Sequence, residues 1–119
     1  MAANNADDPP FVTFTSTTTY TVVKTTKFPE ATGGIEQCQF DIRTNQFYIS
    51  VPEVNGGDGF VYVFDVNGNL VNKFDIPLAS CSHPQGLTIG PAPQILLGCN
   101  GTANANNPTA IIKIGRAHV

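Results

Sequence analysis

The sequence predicts an all-β fold of short antiparallel strands, on three observations. Thr, Val, Ile and Phe alternate along much of the chain, while Gly, Pro and Asn interrupt that alternation every few residues. No window combines apolar residues at helical spacing with a capping residue before it and a glycine after it, so essentially no helix is expected.

Taken in chain order, residues 4–10 (Asn4-Asn5-Ala6-Asp7-Asp8-Pro9-Pro10) read as a loop. Two strands follow at 11–16 and 20–28. The middle of the chain then offers four strands in succession, at 37–42, 46–51, 59–66 and 69–76, each bounded by turn residues. Arg43, Thr44 and Asn45 join the first two. Asn67-Gly68 joins the last two and supplies the positive φ of a tight hairpin. Strands at 85–89, 94–98 and 110–114 complete the series.

The same grammar recurs at a fixed offset. Gln46 matches Gln94, Gln37 matches Gln85 and Phe28-Pro29 matches Ile76-Pro77, and the three differences in sequence number are equal (94 − 46, 85 − 37, 76 − 28). Four strands in a period of about 48 residues make a propeller blade, whereas ankyrin, TPR and leucine-rich repeats are shorter and contain helices. The expected fold is therefore a β-propeller fragment of about two and a half four-stranded antiparallel blades. Residues 11–28 are the outer strands of one blade, 37–76 a complete blade, and 85–113 the start of the next. Blades stack face to face, so both sides of a strand must be apolar, which Phe60-Val61-Tyr62-Val63-Phe64 satisfies.

Both ends are expected to be artificial, with residues 1–113 forming the partial propeller. Residues 114–119, Ile-Gly-Arg-Ala-His-Val, are identical to the translation of a common short-read sequencing adapter. Arg116 and His118 are accordingly kept out of the functional argument. Because residues 4–10 read as a loop between second and third strands, the true start is expected upstream of Met1.

With 119 residues, a net charge of -3 and only 6 Lys plus Arg, the chain has no basic stripe to track a phosphate backbone or an anionic membrane. Nucleic acid is not an expected partner. No apolar run approaches the ~18 residues of a membrane span, and Ala2-Ala3-Asn4-Asn5 is not an export signal. Small molecules, sugars, proteins and cations remain as ligands.

Strand direction sorts the loops onto two rims. One collects Asp7, Asp8, Glu30, Glu36, Gln37, Cys38, Glu53, Asn55, Asp58, Cys81, Ser82, His83, Gln85, Cys99, Asn100 and Asn107. The other receives residues 17–19, Asn45, Asn67 and residues 91–93. Acids and amides crowd the first, so the ligand-face candidates are Glu36, Gln37, Glu53, Asp58, His83, Gln85 and Asn100. Pairing Gln94 with Ile89 would set Cys99 opposite Pro84, close to Cys81. A Cys81–Cys99 disulfide is then geometrically conceivable, with Cys38 left over or paired elsewhere and reduced buried cysteines as the alternative. A disulfide would suit an exported protein, periplasmic or extracellular. There is no CxxC or Cys/His quartet to hold zinc, and no G-x-S-x-G elbow; Ser82 beside His83 is set aside as a catalytic pair. Asn100-Gly101-Thr102 matches a glycosylation sequon and is assigned no role.

Gly33-Gly34-Ile35-Glu36-Gln37-Cys38-Gln39-Phe40-Asp41, followed by Gln46-Phe47-Tyr48-Ile49-Ser50, resembles blade openings of the SMP-30/gluconolactonase/NHL-like propeller superfamily. His83-Pro84-Gln85-Gly86-Leu87-Thr88-Ile89 looks like the next opening. The resemblance covers residues 11–113 and rests on blade grammar that many propellers share. It implies a propeller with a central channel, and in the lactonase branch a glutamate that helps hold a divalent, calcium-like cation. Glu36 is the position that matches. The chain departs from that pattern in having Gln37-Cys38 where Gly-Pro is usual, and Pro84 at the equivalent place one blade on.

Two main functional readings follow. The first is a non-catalytic scaffold binding a small molecule, sugar or protein on its loop-rich face. The alternative is a metal-dependent lactone or ester hydrolase of the gluconolactonase type, in which a cation polarises the carbonyl and a carboxylate activates water. A purely structural, NHL-like interaction ring is a third. Under any of them the uncovered blade faces should make the isolated chain self-associate.

Overall fold

The computed structural model describes residues 1–91 and 94–101, together with the backbone of residues 111–114. Among the described residues ten strands run in order: β1 (Ala2–Asn4), β2 (Phe11–Thr15), β3 (Val22–Lys27), β4 (Cys38–Asp41), β5 (Gln46–Val51), β6 (Gly59–Asp65), β7 (Leu70–Ile76), β8 (Ser82–Ile89), β9 (Ile95–Gly101) and β10 (Ile111–Ile114). There is no helix among the described residues. The strands form three antiparallel sheets, ordered β1-β2-β3, β4-β5-β6-β7 and β10-β9-β8. The described sheets do not close into a ring or barrel.

The middle sheet is buried on both sides, because its strands alternate two apolar sets. Ile49, Val51, Tyr62 and Phe64 join Val12, Phe14, Phe28, Ala31 and Ile35 in one core. Their sequence neighbours Tyr48, Val61 and Val63 join Cys81, Leu87, Ile95, Leu97 and Cys99 in another. Successive side chains on a strand point to opposite faces, so the run Phe60-Val61-Tyr62-Val63-Phe64 necessarily serves both neighbours. Aromatic edges lock the first core: Phe28 and Tyr62 meet at 5.2 Å and 88°, and Phe14 and Phe64 at 5.4 Å.

Some strand starts recur at the sequence offset, whereas those of β4 and β8 (38 and 82) lie closer together. The starts of β2 and β6 (11 and 59) and of β3 and β7 (22 and 70) differ by the same offset as the sequence matches, and those of β5 and β9 (46 and 95) by one position more. Facing is kept too. Val12 and Phe14 of the first sheet enter the core shared with the middle sheet, and Val61 and Val63, one position beyond that offset, enter the core shared with the third. The pairing of β2 with β3 shifts register between Phe14 and Thr15, and that of β6 with β7 shifts one position beyond the corresponding place, between Val63 and Phe64.

Two elements differ from expectation. Ala2–Asn4, which the sequence places outside any strand, pairs antiparallel with β2 (Ala2↔Thr13, Asn4↔Phe11). Ala and Asn have poor strand propensity, and the pairing comes from the edge of β2, not from their own preference. The third sheet's first strand begins at Ser82 instead of residue 85, and Ile89 pairs with Ile95, not Gln94. A register shift between Pro84 and Leu87 then restores Pro84↔Cys99. The β6–β7 turn is longer than a two-residue loop. Gly68 N–H donates to Asp65 O and Asp65 N–H to Asn69 O, with Gly68 at φ 80°, a three-residue hairpin whose last position demands the left-handed region.

Candidate ligand-binding edge

Three loops meet at one edge of the stack: the crossing from β3 to β4, the β5–β6 loop and the start of β8. The crossing is tied to the β5–β6 loop by an isolated bridge, Ala31↔Val54, and by Asn55 N–H donating to Glu30 O at 2.9 Å. This brings Thr32 beside Glu53. The Thr32 hydroxyl donates to Glu53 Oε1 at 2.6 Å while accepting the Gly56 N–H at 2.9 Å. The other carboxylate oxygen, Oε2, lies 3.4 Å from His83 Nε2 in the third sheet. A carboxylate only accepts, so Nε2 carries the hydrogen. In the neutral ring Nδ1 is then an acceptor, and the Ser82 hydroxyl, 2.9 Å away, donates to it. The Gln85 carboxamide donates to His83 O at 3.2 Å and fixes the backbone behind the ring.

The outcome is a four-residue array, Thr32–Glu53–His83–Ser82, contributed by three separate segments. It remains open to solvent: the side chains of His83 and Glu53 are 40% and 26% exposed. The Thr32 hydroxyl, and after it His83, hold the Glu53 carboxyl below the usual carboxylate range, so it is ionised at neutral pH. His83 adopts φ 49°, a left-handed conformation in a non-glycine residue, although the residue before a proline favours extended backbone. Such strain concentrates where a side chain must be aimed, and here it aims the imidazole back across the sheet edge at Glu53.

The other candidates take different places. Asp58 lies on the same loop as Glu53, but its Oδ1 accepts the Leu78 N–H at 2.8 Å and so anchors the chain leaving β7. Glu36 donates its backbone N–H to Ser50 O at 3.0 Å, and partial burial raises its carboxyl above the usual range. Gln37 and Asn100 are exposed. Among the described residues no three His, Cys, Asp or Glu side chains are grouped to share a metal ion, so Glu36 has no companion ligand there. Cys81 and Cys99 are bonded through their sulfurs, with Cα atoms 5.2 Å apart, inside the core between the middle and third sheets. Cys38 is free, and its thiol donates to Met1 O at 3.2 Å. Asn107, Thr102 of the sequon and the segment 115–119 lie outside the described residues.

Sequence reasoning missed Thr32, and it placed Ser82 on the rim beside His83 without a role. Thr32 looks like an ordinary turn residue, and only the bridge from Ala31 to Val54 carries its hydroxyl to a carboxylate 21 positions away. Ser82 belongs to no motif, yet the structure gives the Ser82–His83 contact a geometry. The seryl oxygen sits on Nδ1 with the carboxylate on Nε2, which suits a relay of donors and acceptors at a surface.

Compared with known proteins, the chain has no significant match to a family model, to a curated protein or to a solved structure.

Proposed function

We propose that this chain is a run of propeller blades that acts as a non-catalytic binding scaffold, taking a small hydroxyl-rich ligand such as a sugar at the Thr32–Glu53–His83–Ser82 edge. One observation carries the reading: three segments far apart in sequence converge on a half-exposed array that offers an ionised acceptor, an imidazole and two hydroxyls. A sugar presents hydroxyls that donate and accept at fixed spacings, and a mixed array answers both roles where a purely acidic cluster would answer one. The propeller part of the proposal is supported by three pairs of strand starts, β2/β6, β3/β7 and β5/β9, that recur at the sequence offset or one position beyond it, and by a middle sheet buried on both faces. The alternative hydrolase reading rests on Glu36 alone, with no second ligand beside it among the described residues.

The test is an amide and imidazole NMR titration with glucose, mannose and maltose, run on the native chain and on His83→Ala. Binding by at least one sugar should shift the signals of Glu53, Ser82 and Gln85 and be lost in the variant. Shifts confined to other surfaces, or unchanged by His83→Ala, would refute the assignment.

A further inference from the structure

Thr32, whose hydroxyl donates to Glu53, also lines a groove of about 410 Å³ between the β1–β2 loop and the crossing from β3 to β4. Both walls are internal loops with a strand on either side, and Met1 is not part of the lining. The groove and the Glu53–His83 array are related by the repeat. Asn5 and Ile35 stand 48 positions before Glu53 and His83 (53 − 5, 83 − 35). In each pair the side chain of the loop residue accepts from the later residue: Ile35 N–H donates to Asn5 Oδ1 at 2.9 Å, and His83 Nε2 to Glu53 Oε2 at 3.4 Å. Gly34, at φ 79°, permits the first contact, because a Cβ there would collide with the Asn5 carboxamide. A polar station thus recurs from one repeat to the next, and Thr32 borders both.

The lining suits a second sugar ring. With Oδ1 committed to Ile35, the Asn5 carboxamide keeps N–H donors for a ligand. The Asp7 and Asp8 carboxylates are exposed and outside any ion pair among the described residues, so they can accept charge-assisted hydrogen bonds from hydroxyls. Pro10 and Pro29 add apolar rings against which the C–H face of a pyranose can lie. The size falls within the ~300–1,000 Å³ of small-molecule sites. A carboxylate on the ligand would meet Asp7 and Asp8 as a like charge, which disfavours acidic sugars. We infer that the binding edge holds at least two subsites, so that its ligand is a linear oligosaccharide without acidic groups. One ring sits at the Glu53–His83 array and the next beside Asn5, Asp7 and Asp8. This inference rests on the sugar-binding reading of the array.

The test compares glucose and mannose with their dimers, maltose, cellobiose and 1,4-mannobiose, and with digalacturonic acid, by amide NMR titration of the native chain. At least one dimer should bind at least tenfold more tightly than its own monosaccharide. Beyond the shifts of Glu53, Ser82 and Gln85 that the monosaccharide gives, it should shift Asn5, Asp7 and Gly34. Digalacturonic acid should bind no more tightly than the monosaccharides. Asp7→Trp, which fills the groove, should bring the dimer down to the affinity of the monosaccharide. Asp7→Ser, which removes only the carboxylate, should weaken the dimer several-fold. Monosaccharide binding at the array with no gain for any dimer would overturn the inference and leave the sugar-binding reading standing. Dimer shifts that stay away from Asn5 and Gly34, a dimer affinity unaltered by both Asp7 variants, or an equal gain for digalacturonic acid would do the same. If no sugar shifts the array, the reading beneath the inference fails and the inference fails with it.

Discussion

Breaking the Cys81–Cys99 bond should destabilise the chain by about 3 kcal/mol through the unfolded state alone. The two residues are 18 apart in sequence, and closing a loop of that length in the denatured ensemble is worth about 3 kcal/mol at 25 °C in the chain-entropy account. Substitution adds a packing loss, because Cys81 and Cys99 are 0% and 3% exposed in the core that joins the middle and third sheets. Removing each sulfur resembles removing one buried methyl group, roughly 1 kcal/mol apiece. Cys81→Ala/Cys99→Ala should therefore lose about 5 kcal/mol in total, while chemical reduction of the unaltered chain should lose only the cross-link part. Urea unfolding of dilute protein, followed by tyrosine fluorescence and far-UV circular dichroism, separates the two. Equal midpoints for the oxidised and reduced chains would refute the reasoning, since the bond would then constrain nothing in the unfolded state.

Four further outcomes are expected. Alkylation without reduction should label one cysteine, Cys38, and after reduction all three; labelling of three without reduction would exclude the bond. Glu53 and Glu36 should respond to acid in opposite senses. The Glu53 carboxyl titrates lower in the fold than in the unfolded chain, so its stabilisation is full above the ordinary carboxylate range and is lost as pH falls through the folded value. The Glu36 carboxyl titrates higher in the fold, so its ionisation opposes folding as pH rises. Glu53→Gln should lower stability at pH 7, while Glu36→Gln should raise it by less than about 1 kcal/mol after solvent screening; a midpoint shift in the other direction for either contradicts the assignment. Gly59→Ala should cost about 1–3 kcal/mol, because a Cβ there would collide with the Pro84 ring and come within 2.8 Å of Pro52 O, and a neutral substitution would mean the two sheets are less closely apposed. Sedimentation should show self-association that rises with concentration and falls with Leu96→Lys; a monomer at all concentrations would contradict the uncovered-face account.

How legible the fold was depends on where its information lies. Burial on both faces was written in Phe60-Val61-Tyr62-Val63-Phe64, and β5 occupies the expected 46–51, because period-two patterning acts locally on each strand. The contact between Pro84 and Cys99 follows in sequence from the wrong starting pair. A register shift inside β8 absorbs the one-residue difference, and no residue type between Pro84 and Leu87 announces it except the flexible Gly86. β1 was illegible because Ala2–Asn4 become a strand only by borrowing the edge of β2. The candidate edge was half legible. Loop direction placed Glu53, Asp58 and His83 on one rim, but the hydrogen bonds that unite Thr32, Glu53 and His83 depend on a crossing between loops that leaves no local pattern.

The most direct test of the propeller proposal is to recover the longer transcript or genomic sequence around this reading frame and translate it through both ends. The account predicts further repeats of about 48 residues before Met1 and after Lys113, each opening with a strand that matches 37–42. A native frame that runs to a stop directly after Val119, with no such repeat on either side, would contradict it.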